Sequence, residues 1–167
     1  MYRRVSDFLA GWEEERAATL KILSALDDRS LQQAAGADHR TLGRLAWHIT
    51  VTIPEMMERT GLRLAGPAQD APPPTHAAEI VRSYDGASRS LADEVRARWD
   101  DAALEVEDDM YGERWPRGRT LSALLAHQTH HRGQMTVLMR QAGLRVPGVY
   151  GPSREEWSAF GMQPPAV

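Results

Sequence analysis

Cysteine is missing from the whole chain of 167 residues. This excludes a disulfide framework, a Cys-rich zinc site and a thiol nucleophile of the protein's own, so any sulfur chemistry must use a thiol supplied by a small molecule. Lysine is almost missing too, with Lys21 the single one and arginine carrying the rest of the positive charge, a bias we attribute to GC-rich coding. Lys and Arg number 20 against 23 Asp and Glu, for a formal charge of −3, so no broad basic face for nucleic acid is expected. No apolar run approaches the roughly 20 residues that cross a bilayer. The start Met-Tyr-Arg-Arg-Val-Ser-Asp lacks the apolar core and cleavage site of a secretory signal. A cytoplasmic address away from membranes is the expectation. A glycine-rich phosphate loop and a G-x-S-x-G elbow are also absent, which removes nucleotide phosphate binding and serine hydrolysis by those routes.

What the chain does contain is helical periodicity. Residues 5–26 place Val5, Phe8, Leu9, Trp12, Ile22, Leu23 and Leu26 near one face, with the acidic run Glu13–Glu15 on another. A second helix is predicted from near Thr41 to about Arg59, with Pro54 kinking it by removing the bond to the Thr50 carbonyl. Residues 66–74, rich in proline, read as a plain linker. The stripe Ile80, Tyr84, Ala87, Leu91, Val95 and Trp99 predicts a third helix over 75–99. Residues 100–119 read as a long loop or short hairpin, with Trp115 as a candidate pocket wall. The fourth helix is predicted over 120–142, with Thr120 as N-cap and Gly143 as stop. Ser153 and Glu156 have capping-box spacing, so a short last helix is expected over 154–160, docked by Trp157 and Phe160. The expected fold is all-α: a single domain over 1–167, a four-helix bundle with a long crossover linker and a short C-terminal helix.

The fourth helix carries the chemistry. Leu124, His127, His131, Met135 and Leu138 recur at spacings of three and four, which stacks His127 and His131 one turn apart in an apolar stripe. Side chains so spaced have Cβ atoms about 5–6 Å apart, close enough for both imidazoles to meet one ion. Either ordinary hydrogen bonds or a metal would satisfy them. His130 falls about 100° round the helix and serves as a flanking control. His48 lies at the edge of the second helix's apolar face, followed by Thr52 and Glu55. A facing helix in a bundle can deliver it as a third nitrogen, and three histidines leave a coordination position open, as catalytic sites do. The alternative is a boundary histidine bonded to a carbonyl or to Glu55. The stretch from His127 to His131 has zincin spacing, but Gln128 stands where that motif needs glutamate, which argues against a metalloprotease.

The block His127-Gln-Thr-His-His131-Arg-Gly-Gln134, the run Leu45-Ala-Trp-His48 and the ending Pro147-Gly-Val-Tyr-Gly-Pro-Ser-Arg-Glu-Glu-Trp157 together resemble the DinB/YfiT-like superfamily over nearly the whole chain. The resemblance implies a homodimeric four-helix bundle holding one divalent metal ion, zinc or nickel, through His48, His127 and His131. It also implies a relation to thiol-dependent S-transferases and to a mycothiol-dependent maleylpyruvate isomerase. The expected activity is therefore transfer of a low-molecular-weight thiol, such as mycothiol, to an electrophilic small molecule. Glu55 is the candidate proton handler, and Thr52, Trp115, Arg132 and Gln134 are candidates to line or support the site. A metal-dependent hydrolase and a non-catalytic, metal-stabilised bundle are the competing expectations.

Overall fold

Four long helices, α1 (Val5–Leu23), α2 (Leu42–Glu58), α3 (Ala77–Arg98) and α4 (Arg117–Gln141), make up half of the computed structural model, which describes residues 1–166. The main packing is crosswise: α1 lies against α3 and α4, and α2 lies against the same two. Their apolar stripes meet in one core that includes Phe8, Trp12, Ile49, Tyr84, Leu91, Leu124 and Met135, all at or near zero exposure. No helix among the described residues is long and apolar enough to cross a membrane.

Helix ends follow local chemistry. Thr41 caps α2 by accepting from the Arg44 N–H at 3.1 Å. Gly143, at φ 78°, closes α4 in a Schellman turn, with Leu144 N–H donating to Met139 O and Gly143 N–H to Arg140 O. The start of α4 differs from expectation. The helix begins at Arg117, directly after a strand that ends in Pro116, and Thr120 is buried inside it with its hydroxyl unpartnered among the described residues. Gly118 in that first turn is obligatory, because a Cβ there would sit 2.1 Å from the Tyr2 carbonyl oxygen where the N-terminal segment crosses.

The all-α expectation is corrected by an antiparallel hairpin, β1 (Glu107–Met110) and β2 (Glu113–Pro116), within the stretch read as loop or hairpin. Its two-residue turn has positive φ at both Tyr111 (61°) and Gly112 (88°), the pattern of a type I′ hairpin. Asn or Asp is usual at the first of these positions, and Tyr111 is held there by outside contacts described below. Arg117 anchors the base of the hairpin, bonding Asp108 at 2.8 Å and lying over the Trp99 ring.

The expected C-terminal helix is also corrected. The Glu156 carboxylate does reach back to the Ser153 N–H at 3.1 Å, but only a 3₁₀ turn, Trp157–Phe160, follows. Gly161, at φ 68°, stops it after one turn, too short to repay helix nucleation. Phe160 is 62% exposed and does not dock on the helices.

Arg132, a candidate to support the site, turns the other way. Its buried guanidinium binds Glu15 Oε2 at 2.6 Å and Thr19 Oγ1 at 2.9 Å on α1, and lies against the Tyr150 ring. It ties α4 to α1 and to the C-terminal segment. Replacing Arg132 by Ala strands the Glu15 charge, and the expected loss is near the lower end of the roughly 3–5 kcal/mol typical of broken buried pairs, because Glu15 keeps some solvent. Urea unfolding of R132A, with little change in metal uptake, checks this.

Candidate metal centre

The contact between α2 and α4 sets the site. Gln128, fully buried, donates from Nε2 to the Ile49 carbonyl at 2.8 Å. Gln128 follows His127 and Ile49 follows His48, so this bond fixes the register that brings the histidines of two helices face to face. In the sequence Gln128 mattered only as a missing glutamate. Its structural task is to face α2, away from the cavities described below.

In that register His48, His127 and His131 each offer a ring nitrogen, all within 4.8 Å of one another. His127 Nε2 lies 3.0 Å from His48 Nε2 and 3.1 Å from His131 Nε2. Gln134 Oε1 sits 2.7 Å from His131 Nδ1 and can only accept, so the neutral ring carries its proton on Nδ1 and presents Nε2 as a bare lone pair. A single proton on His127 Nε2 can serve only one of its two neighbours. Protons alone therefore leave one close nitrogen pair unsatisfied. A cation with about 2.0–2.1 Å bonds to nitrogen satisfies both close pairs, since two nitrogens on one ion lie within about 4.2 Å of each other. His127 Nδ1 is buried without a hydrogen-bond partner among the described residues, so protein contacts do not dictate which of its nitrogens is protonated. The donor set fits a divalent metal. His130 is exposed, His39 lies on the surface, and His76 bonds Asp28 far from this cluster.

Electrostatics keeps the rings ready to ligate. Burial, followed by the Arg40 guanidinium, pushes the His48 imidazole down to about 4. Burial and then His131 push His127 down to about 4 as well. Burial also lowers His131, against the opposing bond from Gln134. All three are neutral at pH 7, the form that binds metal.

A cavity of about 570 Å³ opens beside His48 and His127, walled by Trp47, Met56, Tyr111 and Trp115. Thr52 and Glu55 line it too, and the Thr52 hydroxyl donates to the His48 carbonyl at 2.6 Å rather than to its ring. Glu55 accepts from Tyr111 Oη at 2.8 Å and from Arg59 Nε at 3.0 Å. The Tyr111 ring also lies under the Arg59 guanidinium and edge-on to Trp115. These contacts hold Tyr111 in its left-handed conformation at the hairpin tip. On the other side, a second cavity of about 490 Å³ reaches His131 and Gln134. The linker is no passive connection: Trp47 Nε1 donates to Ala71 O at 2.7 Å, and Gln69 lines the first cavity. Sequence reasoning missed Tyr111, Arg40, Arg44 and Gln69. The Tyr-Gly pair at 111–112 was the one local cue, as a hairpin turn.

Known proteins resemble this chain in sequence and in fold. The family model described as the DinB family matches residues 1–165. The uncharacterized protein YrdA of Bacillus subtilis (strain 168) is 45% identical over 167 residues, covering all of both chains. A crystal structure of a DinB-like protein from Bacillus cereus superposes with a TM-score of 0.87 at 44% identity, covering 90% of this chain and 100% of that one.

Two measurements follow. Gln128→Leu removes the register bond while the Ile49 carbonyl keeps its place in the α2 ladder, so the expected cost is that of one hydrogen bond, about 0.5–1.5 kcal/mol, with weaker zinc uptake by titration. In metal-free protein the unfolded chain binds protons at His48 and His127 near 6.5, whereas the folded chain does so only near 4. The unfolded state thus holds more protons across that window, and stability rises with pH within it. Melting temperature is expected to fall from pH 7 to pH 5, with a flatter profile in His127→Asn.

Proposed function

The chain belongs to the DinB family, and on that footing we propose that it is a divalent-metal-dependent transferase joining a low-molecular-weight thiol to an electrophilic small molecule. The observation that carries the metal half is the convergence of three neutral imidazoles beside an open cavity. A closed, purely structural site would bury all its ligands away from any cavity, so access to His48 and His127 favours catalysis over a non-catalytic bundle. The thiol half comes from the family resemblance, and the absence of any cysteine that could compete for the metal is compatible with it.

His48, His127 and His131 would hold the ion, and zinc and nickel are the first metals to test. Bound there, it would supply the positive charge that lowers the pKa of a thiol. Gln134 fixes the orientation of His131 through its Nδ1–H. Glu55, the carboxylate lining the cavity, takes the thiol proton, while Arg59 and Tyr111 hold it in place. The sulfur forms a bond to the electrophilic carbon as the leaving group departs with its electron pair. Trp47 and Trp115 pack the apolar body of the substrate. We take the helices to work as a four-helix bundle of one domain, in a cytoplasmic homodimer without nucleic-acid or membrane partners. Light scattering on the purified protein checks the dimer.

Tag-free protein loaded with zinc or nickel should turn over 1-chloro-2,4-dinitrobenzene only when a small thiol is added. Turnover unchanged without thiol removes the transferase reading and leaves the metal-dependent hydrolase, in which water takes the thiol's place. His48→Ala should lower metal content; retention of a full equivalent would show that His48 is not a ligand. Glu55→Gln should keep the metal and lose roughly 10²-fold in kcat.

A further inference from the structure

Arg40 and Arg44 flank the N-cap of α2, both exposed, and both line the cavity beside His48 and His127. Arg40 also lines the second cavity, beside His131. Neither guanidinium has a hydrogen-bond or ion-pair partner among the described residues. Arginines that touch other lining residues do: Arg59, over Tyr111, bonds Glu55 at 3.0 Å, and Arg119, over Trp115, pairs with Glu113 at 3.4 Å. Glu55, the carboxylate lining the cavity, is occupied by Arg59 and Tyr111 and leaves both charges uncompensated. The first turn of α2 carries no acidic residue either, so the positive end of the helix dipole adds to the guanidinium charges instead of being neutralised.

We propose that Arg40 and Arg44 form an anion subsite at the rim of this cavity, and that the small molecule it admits carries a carboxylate on an apolar body. Guanidinium forks match the planar, two-oxygen geometry of a carboxylate. The walls behind them, Trp47, Val51, Met56 and Trp115, are apolar and take an aliphatic or aromatic portion. A ligand held in this way has its charged end fixed at the arginines and its body directed along the wall toward the imidazoles. That this molecule is also a substrate rests on the function proposed above; the subsite itself rests on the arginines and the cavity.

The test uses binding to the metal-free full-length protein, so that no carboxylate can be held by a metal. The probes are 3-phenylpropionate and its neutral amide, followed by fluorescence of the cavity tryptophans. Wild type is expected to bind the acid about tenfold more tightly than the amide, with the preference weakening as salt rises. The double variant Arg40→Gln/Arg44→Gln should bind both probes alike while keeping the helical circular dichroism of the wild type, since both side chains are exposed and neither holds another side chain among the described residues. Equal binding of acid and amide by wild type overturns the subsite, as does a preference that survives in the double variant or is insensitive to salt. A preference appearing only after zinc is added assigns the carboxylate to the ion and overturns it as well. Loss of thiol-dependent turnover with the acid preference intact would count against the transferase and leave the subsite standing.

Discussion

The register between α2 and α4 is the constraint on which the rest depends. One buried hydrogen bond, Gln128 Nε2 to Ile49 O, joins the residue after His127 to the residue after His48. A slip of either helix by one residue would rotate its histidines about 100° away from the seam and dissolve the cluster. The surrounding core makes such a slip costly, because Ile49, Ile53, Leu124 and Met135 are close-packed with almost no exposure. Position and chemistry are therefore set by the same interface: the bond that fixes packing also fixes the donor set.

Burial then shapes the chemistry of those donors. Placing imidazoles in a largely apolar seam disfavours their charged forms and pushes His48 and His127 well below an ordinary histidine. The effect destabilises the metal-free protein in mild acid yet leaves the rings unprotonated and available near neutrality. Sites that combine desolvation with converging polar groups in a cavity are often functional. Here the cavity lining combines imidazole nitrogens, an engaged carboxylate and two guanidiniums without a partner among the described residues.

The hairpin and linker complete the cavity from outside the helices. Tyr111 adopts a left-handed backbone that a non-glycine residue seldom takes, and its contacts with Glu55, Arg59 and Trp115 show what holds it. Trp47 ties the proline-rich crossover down on the opposite side. Neither segment carried a strong pattern of its own. The strands Glu-Asp-Asp-Met and Glu-Arg-Trp-Pro lack apolar alternation, and they form because Met110 is buried and Arg117 holds Asp108.

By itself the sequence determined the helices, because their apolar residues repeat at 3.6-residue spacing, and it determined the α2 start near Thr41 and the α4 stop at Gly143, because those are local chemistry. It also paired His127 with His131, since residues four apart on a helix must be neighbours. Its local signals misled where competing contacts or short length intervened: at Thr120, overtaken by the strand running into α4, and at 154–160, where Gly161 ended the turn. Only tertiary structure decided that His48 joins the pair, that Arg132 serves α1 instead of the site, and that Arg40, Arg44 and Tyr111 reach the cavity. Periodicity reports which face of a helix is buried; it carries no information about which residue of another helix lies opposite, because that depends on packing between segments far apart in the chain.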